Sequence, residues 1–384
     1  MFSRNIFSAA KNEVEIVAFD IPYPPNYGGV IDVFYKIKAF KRAGIKVNLH
    51  CFEYGRKPSP ELEALCEKVT YYQRKITKTN LFRRRPYIVV TRNSEDLIKN
   101  LCKNNNPILF EGLHTCFYLD DKKVKRRKMI VRTHNIEHYY YQNLAKVEKE
   151  IFKKYYFYNE AQKLRRYEKI LESSSGIAAI SIHDGDYFTK KYKKTKVKVV
   201  SAFHPNEEID IKEGLGNYAL YHGSLAVGEN NEAALYLVEE VFNDLDIPLI
   251  IAGNKPSKEL RDAVAKHSNI TLKTDISTIE IYKLIKDAQI NVLPTFQATG
   301  IKLKLLAALY TGRHCIVNAP MVEDTGLEKL CIIKPSAIEM KEAVKEMMKI
   351  PFGSHDISKR KRALNDSIYS NNYNINQLIE MLFS

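Results

Sequence analysis

The sequence predicts an α/β protein of two parallel-sheet domains around a central cleft, ending in a helical tail. Three observations predict it. Short apolar runs alternate with stretches of helical spacing along most of the chain. A polar stretch over 204–217, with one Pro and two Gly, interrupts that alternation midway. A second alternation then starts at Tyr218 and closes in two polar amphipathic stretches with no strand between them. The expected division is residues 1–205, 206–365 and a terminal helix over 366–384.

The elements follow in order. An apolar run over 14–19 reads as a strand, 22–29 as a Pro- and Gly-rich loop, and 30–43 as a helix with Val33, Ile37, Phe40 and Ala43 at helical spacing. Gly44 ends that helix, and 45–52 alternates apolar with polar residues, which completes a βαβ unit. Further strands are expected over 108–111, 128–133 and 176–180, with helices near 95–103 and 181–190. The segment 136–171 lacks Gly and Pro and repeats apolar residues at Tyr140, Leu144, Val147, Ile151, Tyr155 and Tyr158. It reads as a long amphipathic helix or helical pair whose aromatic stripe faces the core. In the second domain, strands are expected over 218–222, 248–252, 270–273, 290–294 and 314–318. Helices are expected near 231–242, 257–266, 278–287, 301–310 and 337–348, and the tail near 354–370 and 373–383.

Composition bounds the function. In 384 residues, 45% are hydrophobic and 27% charged, which excludes a disordered or fibrous chain. With 60 Lys and Arg against 45 Asp and Glu, the net charge of +15 favours an anionic partner such as a nucleotide phosphate, nucleic acid or acidic lipid. No apolar run approaches the roughly 18 residues that span a bilayer, and no export signal is evident at the start. The six cysteines form no C-x-x-C pair, so reduced thiols in a cytoplasmic protein are expected, without disulfide or zinc finger. Walker loops, nucleophile elbows and H-E-x-x-H are absent. Basic clusters at 83–85, 122–128 and 190–198 read as solvated loops, as a patch for an acidic membrane surface, or equally as a track for nucleic-acid phosphates. A nucleic-acid binder rests on charge alone, without a recognised binding module, so no nucleic-acid partner is expected.

In two open parallel sheets the cleft beyond the strands' carboxyl ends is the expected site. Gly28-Gly29 lies between the first strand and helix, where missing Cβ atoms either let N–H groups approach a phosphate or serve a tight turn. The pattern is not G-x-G-x-x-G, so a dinucleotide cofactor is disfavoured and none is expected. A sharper feature is Pro294-Thr-Phe-Gln-Ala-Thr-Gly-Ile-Lys-Leu-Lys-Leu-Leu-Ala-Ala-Leu309, a strand end running into a helix that Gly300 opens. Lys302 and Lys304 fall in its first turn, where the helix dipole disfavours cations unless a polyanion is bound. Residues two apart face different ways, so either one of the two lysines reaches a bound diphosphate and the other is solvated, or both belong to a bland basic surface. His134 ends another strand and is placed either for a polar contact to substrate or as a satisfied structural histidine. His134 and His138 are four apart, but no third ligand is evident and no metal is expected.

Taken in order, these motifs resemble glycosyltransferases of the GT-B fold, and among them family 4 (group 1). The resemblance rests on Tyr23-Pro-Pro-Asn-Tyr-Gly-Gly29 before a helix ending Lys41-Arg-Ala-Gly-Ile-Lys-Val47, on Arg132-Thr-His-Asn135, and on 168–181. It continues in Tyr221-His-Gly-Ser-Leu225 with Asn230-Asn231, Ile250-Ile-Ala-Gly253, 288–294 and 300–312. It implies two Rossmann-like domains, the first holding a glycan or lipid-linked acceptor, the second a nucleotide sugar, and a terminal helix packing back on the first. It implies a retaining, metal-independent hexosyl transfer without a cofactor. By position, Gly28 and Gly29 would approach the donor diphosphate, and His134, the catalytic candidate, would contact the transferred sugar. Gly223 and Ser224 would line the phosphate or ribose side, Gly300, Ile301 and Lys302 would cradle the distal phosphate through the helix N-terminus, and Thr299 and Lys304 are the remaining donor-binding candidates. The loop 273–276 would border the base. Two departures stand out. Thr299 and Ala307 replace the family's paired glutamates, and Ala307 cannot accept hydrogen bonds from ribose. Asn230 or Asn231 replaces a basic residue, for which Lys302 and Lys304 would compensate. The basic patches favour surface polysaccharide synthesis at the inner membrane face. A catalytically reduced GT-B protein that binds a glycan or partner is the alternative.

Overall fold

The computed structural model describes residues 12–296 and 303–384, in two compact units. One unit runs to Pro205 and takes in Ile368–Ser384, and the other is Asn206–Ser367.

The first unit is built on a seven-stranded sheet of β1 (Glu13–Ala18), β2 (Lys46–Glu53), β3 (Lys68–Gln73), β4 (Ile108–Glu111), β5 (Met129–Thr133), β6 (Gly176–Ala179) and β7 (Lys196–Val199). The strands are all parallel, in the order β3-β2-β1-β4-β5-β6-β7. Central β1 is buried along almost its whole length, as a strand covered on both faces must be. On one face α1 (Gly28–Arg42) lays Val33, Ile37 and Phe40 against Ile16, Ala18 and Leu49. Gly44, at φ 75°, takes the left-handed conformation that turns the chain from α1 into β2. On the other face Val17, Phe52, Phe110, Val131 and Phe188 form a second core.

Two strands at the edges of this sheet escape sequence reading. β3 and β7 carry lysines and lack a full apolar alternation, because an edge strand needs only one packed face. The basic stretch 190–198 is therefore part helix end and part strand, with Lys191 paired to Glu168 at 2.6 Å and Lys198 to Glu380 at 2.7 Å. Cluster 122–128 is likewise partly spent: Arg127 is buried against backbone carbonyls, and Lys128 Nζ donates to Ser384 O at 2.9 Å.

The segment 136–171 forms the expected pair of helices, α2 (Glu137–Val147) and α3 (Ile151–Tyr167), followed by a tight turn over Glu168–Ser173. Its stripe corrects the sequence reading: Tyr140, Val147, Ile151, Tyr155 and Tyr158 are exposed. The pair packs instead through Ala145, Ala161 and Leu164. Glu160 lies on that buried face because its carboxylate accepts from Tyr87 N at 2.6 Å and from Lys163 Nζ at 2.8 Å.

The second unit holds six parallel strands, β8 (Ala219–His222), β9 (Leu249–Ala252), β10 (Ile270–Lys273), β11 (Ile290–Val292), β12 (His314–Val317) and β13 (Ile332–Ile333), in the order β10-β9-β8-β11-β12-β13. The two-residue edge strand β13 is too short to announce itself in sequence. Helices α4 (Gly228–Tyr236) and α5 (Leu303–Thr311) follow β8 and β11. The last helix, α6 (Asn371–Phe383), returns to the first unit, where Ile375, Leu378, Met381 and Leu382 enter the core on the α1 side. Asn374 secures it by accepting from Ser201 N at 3.0 Å. No described helix is long and apolar enough to cross a membrane.

Candidate functional site

In the first unit, a buried polar centre lies where β4 and β5 end beneath α1. Asp32 and Lys36, one helical turn apart on α1, point at the sheet, Glu111 ends β4, and Arg132 is the last but one residue of β5. Lys36 Nζ donates to Asp32 at 2.9 Å and to both Glu111 oxygens at 2.7 and 2.9 Å. Arg132 forks onto Asp32 with two bonds of 3.2 Å. All four side chains are fully buried, so two anions are balanced by two cations. Burial alone would raise the Asp32 carboxyl, but Arg132 and Lys36 outweigh it and hold it well below the usual carboxylate range. The same contest, with Lys36 and His134 winning over burial, lowers Glu111.

His134 rests on this centre. Its Nε2 lies 2.9 Å from Glu111 Oε2, and because an ionised carboxylate only accepts, that nitrogen donates. Nδ1 lies 3.8 Å from Asp32, and the ring meets Phe19 edge-on at 5.4 Å. The structure separates the two histidines of the sequence motif: His138 turns away to Glu168 at 3.0 Å. Ligand atoms of Asp32, Glu111 and His134 lie within 4.8 Å of one another, yet Lys36 already supplies the positive charge between both carboxylates. Asp32, Lys36 and Glu111 were not legible from sequence, since an i,i+4 Asp–Lys pair on a helix ordinarily reads as a solvated face.

Beside His134, His114 Nδ1 and Glu137 Oε1 face each other at 3.8 Å, and neither has a hydrogen-bond partner among the described residues. Burial, with Asp184 adding to it, pushes the Glu137 carboxyl up to about 8, and burial pushes His114 well below its ordinary value. A raised carboxyl keeps its proton in the folded protein while the unfolded chain has lost it. Stability due to Glu137 therefore falls as pH rises from the ordinary carboxyl range to about 8, by roughly 1.4 kcal/mol per pH unit. Glu137→Gln is expected to remove this slope, gaining on the wild type at pH 8 and matching it near pH 5 in denaturant melts. Parallel pH profiles for the two proteins would contradict the assignment.

An open cavity of about 680 Å³ lies beyond the carboxyl ends of β1 and β2, lined by Asp20, Tyr23, Tyr27, Tyr54 and Arg56 among others. Tyr27 donates to Asp20 at 2.9 Å, and the Arg56 guanidinium lies over the Tyr27 ring at 5.1 Å. Gly28 and Gly29 open α1 at the edge of this region. A Cβ on Gly28 would meet nothing within 4 Å, whereas one on Gly29 would stand 2.8 Å from the Phe19 ring, so packing explains that glycine.

In the second unit, Gly223 and Ser224 follow β8 and Gly253 follows β9. The two loops touch: a Cβ on Gly253 would overlap Gly223 O at 2.0 Å. Lys304, in the first described turn of α5, donates to Asn230 Oδ1 at 2.9 Å and lies over the Tyr221 ring at 5.3 Å. Asn230 in turn donates to Ser224 O at 3.0 Å, so Lys304, Asn230 and the 223–224 loop form one cluster. Asn231 plays no part in it, being bonded to Ser257. Burial, with Lys304 adding to it, pushes His222 down to about 3, and its Nε2 has no partner among the described residues. Asp275, at φ 56°, hangs the 273–276 loop beside β9 by donating its N–H to Asn254 Oδ1 at 2.6 Å. Thr299, Gly300, Ile301 and Lys302 lie outside the described residues. Ala307 is 5% exposed and packs with Leu220, Ala252, Ile285 and Ala288.

Residues 216–349 match the family model described as glycosyl transferases group 1. An uncharacterized 44.6 kDa protein in the cps region of Klebsiella pneumoniae is 26% identical over 334 residues, 82% of this chain and 84% of that protein. Among solved structures, a glycosyltransferase from Rickettsia africae matches with a TM-score of 0.65 at 13% identity, covering 97% of this chain and 98% of its own. Anabaena Alr3699/HepE, in complex with UDP and glucose, matches with a TM-score of 0.64 at 10% identity, covering 96% and 99%. These structural likenesses establish the fold, two Rossmann-like units of the GT-B type.

Proposed function

We propose that this GT-B chain, whose second unit carries the group 1 glycosyltransferase match, is a retaining glycosyltransferase. It moves a hexose-type sugar from a nucleotide-sugar donor to a glycan or lipid-linked acceptor in surface polysaccharide synthesis. The observation that carries this reading is the cluster of Lys304, Asn230 and the 223–224 loop, a cation beside backbone at the carboxyl end of β8. Breaking a glycosyl–phosphate bond leaves an oxocarbenium-like sugar and a charged diphosphate, and a preorganised cation at the leaving group is the main requirement. Lys304 supplies that charge, with Lys302 beside it in sequence. The leaving phosphate oxygen takes the acceptor's proton on the same face of the sugar, so configuration is retained and no side-chain base is needed. His134, held by Glu111, is assigned to a sugar hydroxyl, and Gly28 and Gly29 to the donor approach. The tyrosine-lined cavity of the first unit suits a saccharide acceptor, with aromatic faces for its C–H groups and Asp20 and Arg56 for its hydroxyls. Charge supplied by lysines supports chemistry without a metal or cofactor, and the cps-region relative supports the polysaccharide context. The proposed place of work is the cytoplasmic face of the membrane.

A second reading, a catalytically reduced protein that binds a glycan or partner, is favoured by Ala307. That position faces an apolar pack and offers nothing to ribose hydroxyls. Calorimetric titration with UDP, GDP and ADP and their sugar conjugates, without added metal, separates the two. Binding of one nucleotide series is expected, with UDP first because the Anabaena structure holds it. Silence from all of them would put the binding protein in place of the enzyme.

A further inference from the structure

The exposed stripe on the α2–α3 pair needs an explanation that the sugar-transfer reading does not supply. A short connection joins the helices, and Tyr141 meets Phe157 at 6.0 Å, so they run antiparallel and end in a common tip. At that tip Val147, Ile151 and Phe152 are 67%, 79% and 85% exposed. Tyr155 and Tyr158 continue the line along α3, on the face opposite the buried Glu160, Ala161 and Leu164. Contiguous exposed apolar groups of this size mark a contact surface.

The surrounding charge says what kind. Lys146, Lys149, Lys153 and Lys154 flank the tip, and Arg165 and Arg166 are exposed further along α3. Both carboxylates of the connection accept from backbone, Glu148 from Glu150 N at 3.0 Å and Glu150 from Phe152 N at 3.1 Å, and Glu150 also pairs with Lys153 at 3.7 Å, which leaves Lys146, Lys149 and Lys154 as the cations around the tip. Apolar side chains thus project from a ring of cations whose neighbouring anions are engaged with the helix start. We propose that the α2–α3 tip is a docking surface for an anionic lipid bilayer, with Ile151 and Phe152 entering the headgroup boundary and the lysines meeting lipid phosphates. This takes up the peripheral placement proposed above, and moves it from the basic clusters of the sequence to the hairpin tip.

The chain has no tryptophan, so Phe152→Trp makes a sole reporter. With full-length protein and vesicles of phosphatidylcholine containing phosphatidylglycerol, a blue-shifted emission quenched by brominated lipid is expected. Lys149→Glu with Lys154→Glu should weaken the partition at least about tenfold without changing the circular dichroism spectrum. An unshifted spectrum on anionic vesicles would overturn the proposal. So would a shift that appears with protein concentration alone, which would mark a contact between two copies. Nucleotide titration of the same samples keeps this outcome separate from that of the donor reading.

Discussion

Lys36→Met is expected to lower the stability of the protein by about 3–5 kcal/mol at neutral pH. Methionine fills most of the volume, so the loss is electrostatic. Asp32 and Glu111 would remain fully buried with Arg132 as their remaining close buried cation, and Arg132 contacts Asp32, leaving Glu111 with His134 alone. The sign of the pH dependence makes the test specific. With Lys36 in place the Glu111 carboxyl is held low and contributes stability above the ordinary carboxylate range, lost as pH falls. Without Lys36, burial dominates and raises that carboxyl, so the variant should recover part of its loss on going from pH 8 to pH 5. Denaturant melts followed by circular dichroism at both values measure it. A loss under about 1 kcal/mol, or one independent of pH, would show that the buried centre does not stabilise this unit.

Gly253→Ala is expected to act on the second unit with comparable force. The added Cβ would overlap the Gly223 carbonyl at 2.0 Å and crowd Leu225 at 2.9 Å, and neither is the free end of a flexible side chain. One loop must shift, at a cost of about 3 kcal/mol. Because Gly223 is followed by Ser224, whose carbonyl anchors Asn230 and through it Lys304, the shift reaches the proposed diphosphate seat. A displacement of this order costs transfer on the order of 100-fold. Melting and donor turnover measured on the same preparation should both fall, and an unaltered Tm would show that the loops are slack.

Much of the fold is written locally. The run over β1, the helix with Val33, Ile37 and Phe40, and Gly44 after it each obey a local rule, and the strand-end positions of His134 and Gly223 follow from them. What sequence does not show is what depends on tertiary neighbours. Asp32 and Lys36 become a buried pair because Glu111 and Arg132 arrive from strands far along the chain. The α2–α3 stripe has core-like spacing, yet the buried face of the pair is the one that carries Ala145, Ala161 and Leu164. Of the lysines expected at the α5 start, Lys304 is placed beside Asn230, while Lys302 lies outside the described residues. The Lys304–Asn230 contact joins residues 74 positions apart, which no linear spacing reveals.

In the proposed enzyme the Lys304 cluster seats a nucleoside diphosphate. Calorimetry of wild type and Lys304→Ala against UDP and against uridine tests this seat. Loss of a charge-assisted bond to phosphate should weaken UDP roughly 10–100-fold and leave uridine unchanged. Equal UDP affinity in both proteins would separate Lys304 from the donor and leave the diphosphate without this seat.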